Sequence, residues 1–205
     1  MKKRCVTVYG ASSAEVEAVF KQEAEAVGQQ LALRGATLVC GAGRTGLMAS
    51  SIDGAIAKGG EAVGVIPRFM VENGWHHKGL SKMIVTEDMH QRKAQMLTMA
   101  DGVIALPGGV GTLEELLEAI TWRQLGLYHG NIVILNTEGY YEPLLAMLRQ
   151  TIECRFMHRD HRHLWQVATT AAEAVEMALA TDARSGLFSQ KIDITGKKGE
   201  QGADE

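Results

Sequence analysis

A glycine-rich segment with the composition of an anion-binding loop follows an apolar run near the middle of the chain. Residues 102–122, "GVIALPGGVGTLEELLEAITW", consist of an apolar run, the loop Pro107–Thr112 and a strongly helical stretch. Glycines leave backbone N–H groups free to converge on an anion, and the N-terminus of the following helix adds a positive dipole. Thr112 could cap that helix and donate its hydroxyl to a phosphate oxygen. The pattern predicts a site for a monophosphate group.

Glu115, three residues after Thr112, has two roles that the spacing does not separate. Thr112-x-x-Glu115 is the pattern of a capping box, in which the two side chains satisfy the first N–H groups of a helix. A carboxylate beside a phosphate loop could equally act on a bound ligand. Capping and catalysis are equally favoured by the spacing alone.

Two cations precede this segment. The stretch "EDMHQRKAQM" (87–96) begins a helix after a predicted strand and places Arg92 and Lys93 in its first turns. Cations at a helix N-terminus oppose the helix dipole, which hints that they face an anionic or polar ligand. Without further evidence, a solvated helix face is the commoner arrangement for basic side chains.

A second glycine pattern, "GAGRTG" at 41–46, fits the G-x-G-x-x-G spacing of dinucleotide-binding loops through Gly41, Gly43 and Gly46. Such loops need an acidic residue about 20 positions on, at the end of the next strand, to hold the ribose. Glu61 has the right count but precedes its strand, and Pro67 stands at the strand's end. The Lys-Ser/Thr of a Walker A loop is also missing. We therefore expect a close-packed turn that borders a mononucleotide site, and no NAD, FAD or other cofactor.

Short β-rich runs alternate with helical patterns and predict an α/β fold: a single-domain, doubly wound, Rossmann-like parallel sheet of about six or seven strands with helices on both faces. The predicted strands are 4–10, 37–40, 61–66, 82–86, 102–106, 131–136 and 164–168, and the predicted helices are 14–34, 46–58, 89–100, 112–127, 141–153 and 170–181. The longest irregular connection, 67–81, is expected to border the site. The domain is predicted to span 1–182, with 183–205 as a C-terminal extension that is largely flexible at its end.

The charge and composition of the chain argue against several classes of partner and location. The net charge is −3 and the pI is near 6.2, which favours neither a nucleic-acid nor a membrane partner. The opening lacks the apolar stretch of a secretory signal, so we expect a cytoplasmic protein whose three cysteines are reduced. The histidines of "HRDHRH" (158–163) have arginines among them, and we expect a solvated basic loop and no metal.

The motifs "PGGVGTLEE" and "MHQRK" resemble those of the LONELY GUY (LOG) family, the cytokinin riboside 5′-monophosphate phosphoribohydrolases. The resemblance extends through "VYG" near the start, "GLM" (46–48), "ITWRQLG" (120–126) and "GYYEPLL" (139–145). The chain differs from the more usual motif of the family at Ala42 and Ala49, where the family has glycine. Relatives have often been labelled lysine decarboxylases, but nothing in this sequence supports pyridoxal phosphate chemistry.

The resemblance implies a nucleotide-binding homodimer that hydrolyses the N-glycosidic bond of a nucleoside 5′-monophosphate to free base and ribose 5-phosphate. It implies Arg92 and Glu115 as catalytic residues. The substrate-binding positions that it implies are Lys93, Gly108, Gly109, Val110, Gly111, Thr112, Leu113, Glu114 and Thr121. Two alternatives stay open: a nucleosidase for AMP or for a broader set of purine and pyrimidine nucleotides, and a non-catalytic nucleotide sensor. The apolar residues around the helix 112–127 are compatible with a subunit interface and equally with a central core position.

Overall fold

Seven parallel strands form one sheet in the computed structural model, which describes residues 3–181. In spatial order the strands are β4-β3-β2-β1-β5-β6-β7. Their bounds are β1 Cys5–Tyr9, β2 Thr37–Cys40, β3 Glu61–Pro67, β4 Lys82–Thr86, β5 Gly102–Ala105, β6 Asn131–Leu135 and β7 Gln166–Ala168. The helices are α1 Ala18–Leu33, α2 Gly46–Ala57, α3 Arg68–Glu72, α4 Met89–Met99, α5 Val110–Gln124, α6 Glu142–Glu153 and α7 Ala171–Leu179. The predicted α/β class and strand number are confirmed.

The central strands are buried at almost every position because both faces of the sheet are covered. Successive side chains of a strand point to opposite faces. In β2, Leu38 and Cys40 join a core cluster with α1, α2 and α7, whereas Val39 joins a second cluster with α4, α5 and α6. This is the physical basis of the continuous apolar runs that predicted a parallel sheet.

The strand order reverses at β1, which pairs with β2 on one side and with β5 on the other. A doubly wound sheet opens a crevice at the carboxyl ends of the strands that flank such a point. The loops after these strands are joined there by backbone hydrogen bonds. The N–H of Ala11 donates to the carbonyl of Pro107 at 3.1 Å, and the N–H of Leu47 donates to the carbonyl of Ala11 at 2.8 Å.

Three sequence predictions need correction. The connection 67–81 contains the short helix α3, since Pro67 supplies an extended N-cap and fixes the turn into the helix. Helix α5 begins at Val110, two residues earlier than predicted, and ends at Gln124. Helix α1 begins at Ala18 rather than at residue 14. The predicted extension 183–205 lies outside the described residues.

The histidine-rich stretch is an ordered turn whose residues 158–160 and 162 are exposed, as expected of a solvated segment, whereas His161 is buried. A 3₁₀ helix spans Arg159–His163, and the buried ring of His161 accepts a hydrogen bond from the N–H of His158 at 3.3 Å. Burial lowers the pKa of His161. Within residues 3–181, no group of three or more His, Cys, Asp or Glu side chains could hold a metal ion. The same part of the chain has no helix with the length and apolarity needed to cross a bilayer.

Candidate active site

A cavity of about 680 Å³ opens at the carboxyl ends of the central strands. The loop after β1, the loop after β2 and the start of α5 form most of its wall. Helix α3 with the loop that follows it, and the first turn of α4, complete the wall. The cavity therefore brings together both glycine loops with Arg92 and Glu115, which lie 23 positions apart in the sequence.

Arg92 projects from α4 into the wall of this cavity, and only 7% of it is exposed. Its Nε donates to the carbonyl of Val65 at 3.2 Å and its Nη2 donates to the carbonyl of Gly41 at 3.5 Å. Its Nη2 also lies 3.7 Å from Oε1 of Glu115. A solvated helix face is therefore the wrong interpretation for Arg92, whose cationic group is held by a carbonyl of β3 and a carbonyl of the first glycine loop and faces the cavity.

The first glycine loop leaves the space that this guanidinium fills. A Cβ atom on Gly41 would lie 1.7 Å from Nη2 of Arg92, and one on Gly43 would lie 2.6 Å from Cε of Met48. Gly46 has a φ of 67°, and a Cβ there would meet the carbonyl oxygen of Ala11 at 2.5 Å. Ala42 has a φ of 63°, in the left-handed region that favours glycine. The loop is thus a close-packed turn that borders the cavity.

Glu115 is the buried carboxylate of the site, with 12% of its side chain exposed. The pKa of Glu115 is raised to about 7, chiefly by burial. The positive charges of Arg92 and Lys93 oppose this rise, and the carboxylates of Glu114 and Glu118 add to it. A carboxyl group with a pKa near neutrality can take up a proton from water during a reaction at physiological pH.

The capping box predicted between Thr112 and Glu115 is not formed. Gly109 is the N-cap of α5 and has no side chain to cap with, while Thr112 is the third residue of the helix. The Thr112 side chain instead packs on Gly108, where an added Cβ would lie 2.2 Å from its hydroxyl oxygen. Among residues 3–181, no side chain therefore caps the first N–H groups of α5, which leaves these groups available to bind an anion.

The remaining glycines of the second loop face open space. A Cβ on Gly109 or on Gly111 would meet no atom within 4 Å, and both residues line the cavity together with Val110 and Thr112. The space beside them is large enough for a ligand to approach the backbone. This arrangement has the geometry of a phosphate cradle.

Some residues that the resemblance implied lie outside the cavity wall. Lys93 is buried and forms ion pairs with Glu114 and, at 3.4 Å, with Glu118. Its hydrogen bond to Glu114 holds the pKa of Lys93 above the ordinary value. Glu114 itself lines the cavity.

Three further positions also lie away from the wall. Leu113 is partly buried and packs against the second core cluster, which α4, α5 and α6 form with the sheet. Thr121 is exposed and donates its hydroxyl to the carbonyl of Leu117 at 2.8 Å. Gly108 lies behind the loop, where its carbonyl accepts a hydrogen bond from the hydroxyl of Tyr140.

Glu61, the candidate ribose ligand of a dinucleotide site, lies at the amino ends of the strands, whereas the cavity lies at their carboxyl ends. It is the first residue of β3, forms an ion pair with Lys3 at 3.1 Å and accepts a hydrogen bond from Thr37 at 3.2 Å. The hydrogen bond from Lys3 lowers the pKa of Glu61. No ribose in the cavity could reach this side chain.

Two groups of lining residues were missed by the sequence analysis. The polar group is Ser12, Ser13, Arg44 and Thr45, and the apolar group is Met48, Ile66, Met70, Trp75 and Met89. The signal for Ser12 and Ser13 was available, because "GASS" follows a strand whose carboxyl end meets the other two loops. The connection 67–81 borders the site as predicted: the N–H of Arg44 donates to the carbonyl of Trp75 at 3.2 Å.

Sequence comparison agrees with this geometry. A family model described as "Possible lysine decarboxylase" matches residues 48–178. Cytokinin riboside 5′-monophosphate phosphoribohydrolase LOG1 of Arabidopsis thaliana is 40% identical over 176 residues, which cover 85% of this chain and 82% of that protein. The chain belongs to the LONELY GUY (LOG) family. A second LOG-family relative, the probable phosphoribohydrolase LOGL1 of Oryza sativa subsp. japonica, is 40% identical over 168 residues, or 82% of this chain and 75% of that protein.

The architecture of this LOG-family chain also occurs in solved structures. The molybdenum cofactor binding protein of Rippkaea orientalis superimposes with a TM-score of 0.68 at 22% identity, over 86% of this chain and 95% of that one. At this level of identity the likeness concerns the fold alone.

Proposed function

We propose that this LOG-family protein hydrolyses the N-glycosidic bond of nucleoside 5′-monophosphates, with cytokinin riboside 5′-monophosphates as preferred substrates. One observation carries the proposal. Arg92 and Glu115 meet in one cavity between an open phosphate cradle and an apolar wall, in a chain 40% identical to a named phosphoribohydrolase.

The phosphate binds at the start of α5. The N–H groups of the first turn and the helix dipole attract a dianion, and Gly109 and Gly111 leave room for it to reach the backbone. The hydroxyl of the buried Thr112 lies at the same end of the cavity. Binding energy gained at the phosphate, away from the bond that breaks, then holds the ribose beside Glu115.

The bond that breaks joins C1′ of the ribose to a nitrogen of the base. The electron pair of this bond leaves with the base, and positive charge develops on the ribose. The ionised carboxylate of Glu115 stabilises that charge and accepts a proton from the water whose oxygen bonds to C1′. The base takes up a proton from solvent as it leaves, and Glu115 afterwards releases to solvent the proton that it accepted. The net reaction consumes one water and gives the free base and ribose 5-phosphate.

Arg92 orients the substrate and stabilises negative charge on the departing base. A guanidinium stays positively charged in proteins, which makes it a poor proton donor but a persistent electrostatic partner. Its position is set by the carbonyls of Val65 and Gly41 and does not depend on a mobile side-chain conformation.

The apolar wall suits a base that carries an apolar substituent. Met48, Met70, Met89 and Trp75 all line the cavity. Methionine side chains adapt to ligand shape and pack well on aromatic rings. A prenylated adenine would bury apolar surface there that unmodified adenine lacks.

A panel of nucleoside monophosphates tests the proposal. The protein is incubated with N6-isopentenyladenosine monophosphate, AMP, GMP and CMP, and base release is followed by chromatography. We expect the highest kcat/KM for the prenylated substrate. Equal rates for all four would favour the broader nucleosidase, whereas ligand-dependent stabilisation without base release would identify a nucleotide sensor.

The decarboxylase description of the family model does not fit the cavity. Pyridoxal phosphate enzymes hold the cofactor as a Schiff base on a lysine amine. Among residues 3–181, the residues that line the cavity include no lysine. The nearby Lys93 is instead engaged by Glu114 and Glu118.

The proposal extends to a homodimer in the cytoplasm, with no nucleic-acid or membrane partner. Along α5, Val110, Leu117 and Leu125 form an outward stripe with exposures of 83%, 40% and 64%. An apolar stripe on a helix that begins at the site suits burial against a second copy of the chain. Light scattering on the purified protein measures the assembly, and a monomeric mass would contradict it.

A further inference from the structure

Two neighbouring tyrosines hold the phosphate loop from the side opposite the cavity. Tyr140 and Tyr141 stand between a 3₁₀ helix, Thr137–Gly139, and α6. The hydroxyl of Tyr141 donates to the carbonyl of Leu106 at 2.7 Å, and the hydroxyl of Tyr140 donates to the carbonyl of Gly108 at 2.8 Å. Neither tyrosine lines the main cavity.

The carbonyl of Pro107 lies between those of Leu106 and Gly108 in the chain. It accepts a hydrogen bond from the N–H of Ala11 at 3.1 Å. Three consecutive carbonyls at the start of the phosphate loop are therefore each held by a donor from another segment. Residues 106–108 are therefore held by hydrogen bonds from outside the loop.

The hydroxyl of Tyr140 acts on one particular peptide group. In a planar trans peptide, the C=O and the following N–H point in opposite directions. Because the carbonyl of Gly108 points to Tyr140, the N–H of Gly109 points away from the tyrosine. Gly109 lies between a small pocket that Tyr140 lines and the main cavity, so its N–H is directed towards the phosphate cradle.

The ring of Tyr140 is held independently of its hydroxyl. It makes edge contacts with Tyr141, at a centroid distance of 5.0 Å, and with Phe20 of α1 at 6.1 Å. The N–H of Tyr141 donates to Oδ1 of Asn136 at 2.7 Å, which fixes the backbone at this point. Removal of the hydroxyl alone leaves these contacts in place.

We propose that Tyr140 is a positioning residue for the substrate phosphate: its hydroxyl keeps the Gly108–Gly109 peptide turned so that the Gly109 N–H can bind the anion. Tyr140 does not touch the substrate. The inference rests on the proposed function in one respect, namely that the ligand of the cradle is a monophosphate.

The test is the variant Tyr140→Phe, with binding of ribose 5-phosphate and of adenosine measured by calorimetry. We expect the Kd for ribose 5-phosphate to rise about 3- to 10-fold, the effect of one hydrogen bond, and the Kd for adenosine to stay unchanged. With a nucleotide substrate, KM should rise by a similar factor and kcat should stay within about twofold, as expected when an interaction present equally in the ground and transition states is lost.

Tyr128→Phe is the matched control. The hydroxyl of Tyr128 is buried without a hydrogen-bond partner among the described residues, in a separate cavity near Arg4 and Asp101. Its removal should leave the Kd for ribose 5-phosphate unchanged. A melting temperature for each variant checks that the fold is kept.

Three results would overturn the inference. An unchanged Kd for ribose 5-phosphate in Tyr140→Phe would contradict it, and so would an equal loss for adenosine, which indicates a general structural effect. Failure of the wild-type protein to bind ribose 5-phosphate would overturn the proposed function as well. The first two results leave base release intact, so the two failures are distinguishable.

Discussion

The two glycine loops of this protein look alike in sequence and serve opposite purposes. At 41–46 the protein itself fills the space that the missing side chains leave, with the guanidinium of Arg92 against Gly41 and Met48 against Gly43. At 108–111 the space beside Gly109 and Gly111 is open. The first loop packs against the guanidinium of Arg92, and the second is open to the cavity where we propose that the phosphate binds. A glycine pattern therefore indicates close approach to the backbone, and the packing decides what approaches.

The largest expected loss of activity comes from adding a side chain to the first glycine loop. In Gly41→Ala, the new methyl group and the Arg92 guanidinium cannot occupy the same space, so Arg92 must leave its two carbonyl acceptors. We expect kcat/KM to fall by about 100-fold or more, as in Arg92→Ala, the usual effect of losing a positioned catalytic group. Base-release kinetics measure this. A rate close to wild type would mean that the position of Arg92 does not matter.

The second prediction concerns Glu115 on the helix that follows the open loop. Only the ionised carboxylate acts in the proposed reaction, and its pKa is about 7. We expect kcat/KM to decrease about tenfold per pH unit below this value. Glu115→Gln should lose about 100-fold or more in rate together with this dependence. Because a nucleotide phosphate also titrates near pH 6, the residual pH profile of the glutamine variant is the control.

The raised pKa of the Glu115 carboxyl group also predicts how the stability of the protein depends on pH. Folding raises the pKa of Glu115 from 4.5 to about 7, so the folded protein binds the extra proton and loses stability as the pH rises through this window. Above pH 7 the loss is about 3 kcal/mol. Glu115→Gln should therefore unfold at higher denaturant concentration than wild type at pH 8, with the difference vanishing towards pH 4.5. A glutamine variant that is less stable at pH 8 would contradict this assignment.

Adding a methyl group to the second glycine loop should have a smaller effect, on KM rather than on kcat. In Gly111→Ala the methyl group meets no protein atom but occupies the space of the ligand, so KM for the nucleotide should rise about tenfold. Gly111 lies inside α5, where alanine is favoured over glycine by about 0.5–1 kcal/mol, so the melting temperature should not fall. A variant that binds nucleotide normally would place the phosphate elsewhere.

The smallest effect is expected at the acid of the dinucleotide pattern. Glu61→Gln removes an exposed ion pair with Lys3 at the edge of the sheet opposite the cavity. Exposed ion pairs contribute little to stability, so neither the melting temperature nor the turnover should change measurably. An altered KM for any nucleotide would bring the dinucleotide interpretation of 41–46 back into consideration.

The elements were predictable and several side-chain contacts were not. Each strand followed from a short apolar run, because a parallel strand covered on both faces needs no polar positions. The capping box that the spacing allowed at Thr112 is not formed, because the helix begins at Val110 with Gly109 as its N-cap, which makes Thr112 the third helical residue. The burial of Arg92 could not be predicted, since it depends on the carbonyl of Val65 in β3 and on that of Gly41 in the loop after β2.

The sequence by itself determined the order of strands and helices, the two glycine loops and the residue types of a phosphate site, because these depend on local pattern and spacing. Only the tertiary structure decided what each loop contacts. It placed Arg92 against Gly41 and left Gly109 open to the cavity. It also raised the pKa of Glu115 by burial among groups from β1, α4 and α5. The physical reason is that space and desolvation are set by segments that meet in the fold and lie far apart in the chain.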